Sequence, residues 1–132
     1  MKLAYCLLIT LITSLVQVTG SAYEAVAANA YTDEQICRAG LATKNEHSVS
    51  RLTTVKKSAD VMLITYPRDD GILVSFACQL KNNEILWRNH DEAEWNKNFR
   101  LFFQISDKGK KLNISSVITI DSLSQSFLKT DF

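Results

Sequence analysis

From residue 32 onwards the chain carries first a helical hydrophobic period and then a period of two. Thr32-Asp33-Glu34-Gln35 has the form of a capping box, in which the Thr32 hydroxyl accepts from the Gln35 amide and the Gln35 side chain reaches back. Tyr31 and Ile36 flank it at the positions of a hydrophobic staple, and Asp33 and Glu34 fall in the first turn, where the helix dipole favours acids. Ile36, Cys37, Gly40 and Leu41 then share one face, so the pattern predicts a helix ending near Lys44-Asn45. After Ser48 the alternation changes. Ile72, Val74, Phe76, Cys78 and Leu80 alternate with smaller or more polar residues, the mark of a half-buried strand that turns Cys78 into the core. Further strands are expected at Val49–Val55, Val61–Tyr66, Glu84–Arg88, Phe99–Ile105 and Lys111–Ile120. The connections between them, such as Pro67-Arg68-Asp69-Asp70-Gly71 and Ser106-Asp107-Lys108-Gly109-Lys110, are short and rich in turn formers. None can hold a helical crossover, so the expected fold is α+β: one helix followed by an antiparallel meander of about six strands in a single domain, residues 31–132.

The first thirty residues read differently. Lys2 precedes an uncharged run from Leu3 to Val18, which is a signal-peptide pattern. At about 16 residues the run falls short of the roughly 20 that span a bilayer, so no stable membrane insertion is expected after cleavage. Small residues allow cleavage after Ala22, Ala27 or Ala30, and the helix start just beyond favours Ala30. Removal of residues 1–30 takes Cys6, one base (Lys2) and one acid (Glu24), leaving the net charge at +1. A charge so close to zero gives no footprint for nucleic acid. Two cysteines remain, Cys37 and Cys78, and in an oxidising compartment a single disulfide between helix and strand is the economical expectation. The competing use, a catalytic Cys with a His, requires one thiol to stay free.

Candidate chemistry concentrates in one longer connection, Asn89 to Asn98, which carries His90, Asp91, Glu92, Glu94 and Trp95. An imidazole and carboxylates could converge on a divalent ion, but the spacing matches no ligand motif and reads as a solvated acidic loop. His47 and His90 are the only histidines, and no Gly-x-Ser-x-Gly nucleophile motif accompanies them. Asp69-Asp70-Gly71 lacks the ladder and distal Glu of a calcium loop and reads as a hairpin turn. The sequon Asn113-Ile114-Ser115 falls inside an expected strand. Arg68, Arg88 and Arg100, with Trp87 and Trp95, have the composition of an interaction hot spot. Trp87 alternates with Ile85 and belongs to the core, whereas Trp95 sits in a charged loop and needs a crevice or a partner. Trp95, Arg68, Arg88 and Arg100 are therefore the expected binding residues. No catalytic residue, metal ligand or cofactor is expected.

The order of several short pieces also resembles a known group. Ile36-Cys37-Arg38-Ala39-Gly40-Leu41-Ala42, Tyr66-Pro67-Arg68-Asp69-Asp70-Gly71, Cys78-Gln79-Leu80, Ile85-Leu86-Trp87, Trp95 and Asp107-Lys108-Gly109-Lys110-Lys111-Leu112-Asn113-Ile114 follow one another as in short exported bacterial proteins of unassigned function. Those proteins share a Cys-Lys/Arg-Ala helix, a Tyr-x-Arg-Pro-Asp-Asp-Gly turn, Cys-x-Leu, a Trp-bearing strand and a final hairpin. Here Pro67 precedes Arg68 instead of following it, and Lys44-Asn45-Glu46-His47 replaces the group's Gly-containing turn. The resemblance implies a bacterial periplasmic or secreted protein and brings no catalytic residues. The expected function is a non-catalytic exported domain that binds a protein or other macromolecule of the envelope or extracellular medium, of inhibitor or accessory type. The alternatives are a small hydrolase or metal-dependent enzyme using the His90 loop, and a self-assembling structural subunit.

Overall fold

The helix α1, Asp33–Asn45, begins where the capping box places it. Thr32 Oγ1 accepts from the Gln35 amide at 3.1 Å, and the Thr32 amide donates to Gln35 Oε1 at 3.0 Å. At the other end Glu46 takes the left-handed conformation (φ 54°, ψ 41°), the His47 amide closes onto Ala42 O at 3.0 Å, and Asn45 Nδ2 donates to Leu41 O at 2.9 Å. The structure, a computed structural model, describes residues 30–58, 60–117 and 122–132, and the expected export segment lies outside them.

Seven antiparallel strands follow in chain order, each bonded to the next: β1 (Thr53–Ser58), β2 (Val61–Pro67), β3 (Leu73–Lys81), β4 (Glu84–Asn89), β5 (Arg100–Ser106), β6 (Lys111–Val117) and β7 (Ser124–Leu128). The sheet curls, and α1 packs against all seven strands. Every α1 residue from Ile36 to Thr43 except Arg38 is buried, a wider face than a helix lying on a flat sheet would cover. Alternation along the strands supplies the inner surface: Ile64 on β2, Phe76 and Cys78 on β3, Ile85 and Trp87 on β4, Leu101 on β5, Leu112 and Ile114 on β6, and Phe127 on β7. Small residues let α1 approach. A Cβ on Gly40 would stand 2.7 Å from Ile85 Cδ1, so any larger residue there must displace the β4 side chain.

Cys37 of α1 and Cys78 of β3 are joined by the expected disulfide, with Cα atoms 6.1 Å apart and neither residue exposed to solvent. Three expectations need correction. Val49–Val55 is not one strand: Val49–Arg51 forms a 3₁₀ turn and β1 starts at Thr53, because burying both Val49 and Leu52 requires a spacing of three. Val55 is the odd residue of a bulge and is 60% exposed. Ile72 lies outside β3 and is 56% exposed, its carbonyl accepting from the Arg68 amide at 2.8 Å to close the hairpin turn. The described residues form seven strands and not about six, since β7 was hidden by its polar run Ser124-Gln125-Ser126. The last residues of the expected strand Lys111–Ile120, 118 to 120, lie outside the described residues. Among those described, no helix is long and apolar enough to cross a membrane.

The crosslink closes a chain segment with a sequence separation of 41, which the chain-entropy account values at about 4 kcal/mol. Replacing Cys37 and Cys78 together by alanine is expected to lower unfolding free energy in urea by about 2–4 kcal/mol without changing the far-ultraviolet circular dichroism. An unchanged midpoint would mean that helix packing alone fixes the sheet.

Candidate functional site

The strands β4 and β5 pair only through Glu84 with Phe102 and Ile85 with Leu101. Beyond Ile85 they part and the Asn89–Asn98 connection enters the gap. The Asn96 amide takes the Trp87 carbonyl at 2.8 Å, in the place a neighbouring strand would occupy, and Trp87 Nε1 donates to Phe99 O at 2.8 Å. Local caps hold the connection in shape. The Glu92 carboxylate accepts from Asn89 Nδ2 at 2.9 Å, and Asn96 Oδ1 accepts from the Asn98 and Phe99 amides at 3.0 and 2.9 Å.

Arg88, on the outer face of β4, organises the same loop. Its Nη1 donates to the carbonyls of Glu92 at 2.5 Å and His90 at 3.2 Å, and its guanidinium stands 5.1 Å from the centroid of the Trp95 ring. One cation thus satisfies two loop carbonyls and fixes the half-buried indole. Beside Trp95 opens a cleft of about 620 Å³, lined by Lys81, Asn82, Asn83, Glu84, Leu86, Asn96, Lys97, Arg100 and Phe102 as well. Three bases face one acid there. That acid holds Arg100 in a two-point pair, Nε to Oε1 and Nη2 to Oε2 both at 2.9 Å, with the guanidinium 5.0 Å from the Phe102 ring centroid. Hydrogen bonding from Arg100 keeps the Glu84 carboxyl below its ordinary value near 4.5.

Of the expected binding residues, Trp95, Arg88 and Arg100 are therefore brought to one loop and its cleft. Arg68 is not: it pairs with Asp70 at 2.8 Å in the β2–β3 turn and lines a separate hollow of about 300 Å³ with His47 and Asp69. The nine residues of β3 separate that turn from the cleft. Trp87 is 5% exposed, a core residue. His90 is exposed at the loop's start, its amide bonded to Ser75 O at 3.0 Å. With Glu92 committed to Asn89, the His90 loop forms no convergent carboxylate site, and no group of three or more His, Cys, Asp or Glu among the described residues is placed to hold a metal ion.

One residue was missed. Lys44, in the last turn of α1, points its ammonium at the inner aromatics, 4.2 Å from the Trp87 centroid, 5.0 Å from Phe76 and 6.0 Å from Phe99. Tyr66 stacks on Phe76 and His47 leans on Tyr66, with centroids 6.0 and 5.0 Å apart, so the three rings around Lys44 belong to a longer row. The sequence held a signal, since Lys44 falls seven residues after Cys37 on the buried face. No protein-family model, curated protein or solved structure matches the chain, so its site is read from its own geometry.

Burial pushes the Lys44 amine below its ordinary value near 10.5, while the ring faces favour the cation. The folded protein then binds fewer protons than the unfolded chain as pH climbs towards 10.5, and stability contributed by this group rises there. Lys44→Met removes the titration and keeps the aliphatic volume. The wild-type midpoint in urea is expected to improve relative to Lys44→Met between about pH 7 and about pH 10. A gap between the two that does not move with pH would show the amine to be solvated as in the unfolded chain.

Proposed function

We propose that this protein is a non-catalytic exported binding domain whose recognition surface is the Trp95 cleft, and that the cleft takes an anionic polysaccharide of the cell envelope or its surroundings. The observation that carries this reading is the indole held in place by Arg88 beside Lys81, Lys97 and Arg100. A preset aromatic face suits the C–H side of a sugar ring and costs little ordering on binding. The side-chain amides of Asn82 and Asn83 both donate and accept, as hydroxyl recognition requires, Asn96 keeps its Nδ2 to donate while its Oδ1 caps the loop, and the excess of bases selects acidic substituents. A volume of about 620 Å³ is that of a small-ligand site and suits a few sugar units of a longer chain. An inhibitor-type reading would use a different surface, the β2–β3 turn, where Ile72 and Leu73 are 56% and 67% exposed next to Arg68.

Calorimetric titration with polygalacturonate and with neutral dextran tests the proposal. Polygalacturonate is expected to bind, more weakly as salt is raised, and dextran is not. Trp95→Ala should weaken binding at least about tenfold, equivalent to about 1.4 kcal/mol. Glu84→Gln removes the one acid lining the cleft and should tighten it about two- to fivefold. Equal binding of the two polymers, or binding unaffected by Trp95→Ala, would sink the reading.

A further inference from the structure

β7 is an edge of the sheet, and its register shows which of its backbone groups are left over. The Ser116 amide donates to Leu123 O at 2.9 Å, so the pairs Ile114 with Gln125 and Leu112 with Phe127 are of the same bonded type. Ser124, Ser126 and Leu128 consequently turn their amides and carbonyls away from β6. Leu128 bears this out, for its outward amide is capped by Asp131 Oδ2 at 2.7 Å. No described side chain caps Ser124 or Ser126.

These two open positions border a groove of about 700 Å³ that separates β7 from the residue 46–49 segment. Thr43 and Gln125, 3.4 Å apart through Oγ1 and Oε1, meet within it. Among the described residues its lining carries two acids, Glu46 and Asp131, with His47 and no Lys or Arg. Arg38 fixes the far wall by donating to Val49 O at 3.1 Å. The opposite edge is built differently: β1 carries Lys56, Lys57 and a bulge at Val55, the usual devices against strand addition, whereas Ser124-Gln125-Ser126-Phe127-Leu128 contains no base and no proline.

We propose that this groove accepts an extended, basic polypeptide segment of another protein, which adds to β7 through the backbone groups of Ser124 and Ser126 and is selected by Glu46 and Asp131. This is strand addition with charge selection, independent of the Trp95 cleft. The length of β7 sets the paired stretch at about five residues, or roughly 17 Å at the rise of an antiparallel strand. Glu46 itself occupies a left-handed position (φ 54°) where glycine would be less strained, and Glu46→Gly therefore separates fold from function.

Amide hydrogen exchange on the exported chain, alone and with a capped decapeptide of alternating lysine and valine, tests the proposal. The lysine peptide is expected to slow exchange at Ser124 and Ser126 at least about tenfold, and its glutamate–valine counterpart is not. Ser126→Pro deletes an outward amide that β6 does not use and should abolish the protection. Glu46→Gly should raise the denaturation midpoint and weaken the lysine peptide. The proposal falls if neither peptide slows these amides, or if both do so equally. It falls too if the amides are already slow in the protein alone, with sedimentation telling a second copy from the chain's own segment as the occupant.

Discussion

The helix α1 fills the inner side of a seven-stranded sheet, and the rest of the described structure depends on how closely the two can approach. The strands follow one another in chain order, so each pairing is a hairpin, and an isolated hairpin is at best marginal in water. What couples the hairpins is their common contact with α1. That contact requires small side chains, which Ala39, Gly40 and Ala42 provide, and at Gly40 Ile85 leaves no room for a Cβ. The bond from Cys37 to Cys78 ties α1 to β3, in the first half of the meander, while Tyr31 ties the helix start to its far side. The Tyr31 hydroxyl donates to Lys110 O at 2.7 Å and lies 3.2 Å from Phe127 O. The helix is thus held towards both ends of the strand order, which is what keeps the sheet curled.

An inner face occupied by a helix leaves chemistry to the outer face, the connections and the edges. The cleft arises where sheet pairing fails: β4 and β5 share two residue pairs, and the loop between them spends its polar groups on its own caps and on Arg88. Rigidity there comes from hydrogen bonding and a cation over an indole, not from burial, which is how a surface aromatic can be kept in one orientation and remain accessible. Lys44 shows the reverse use of the same contact, a cation brought under the sheet onto Phe76 and Trp87.

Much of this was legible because local rules and tertiary demands agree. Thr32 and Gln35 announce the helix start, and the alternations through Cys78 and Leu101 place their strands and faces. Reading failed where a tertiary requirement overrode a local period. Val49 and Leu52 are buried three apart and so form a turn, and β7 qualifies as a strand through Phe127 and its pairing with β6, not through its serines. For the cleft, residue type was enough to single out Trp95, since an indole in a charged loop needs cover. Which arginine covers it was beyond composition. Arg88 and Arg68 differ by where the topology puts them, the one in β4 facing outward beneath the loop and the other in a turn beyond the length of β3.

The two sheet edges show what selection for solubility leaves visible. An edge strand exposes alternate backbone groups whatever its sequence, and β1 answers with lysines and a bulge. Among the described residues β7 answers only at its end, where Asp131 takes the Leu128 amide, and Ser124 and Ser126 on the groove stay uncapped. At the groove's other wall the helix closes on Glu46 in a left-handed conformation, which costs an L-residue roughly 1–2 kcal/mol. A fold built for stability alone would place glycine or asparagine there. The strained turn thus carries a carboxylate to the groove across from the uncapped amides of β7, and with Asp131 it outweighs His47 in a lining that, among the described residues, holds no Lys or Arg.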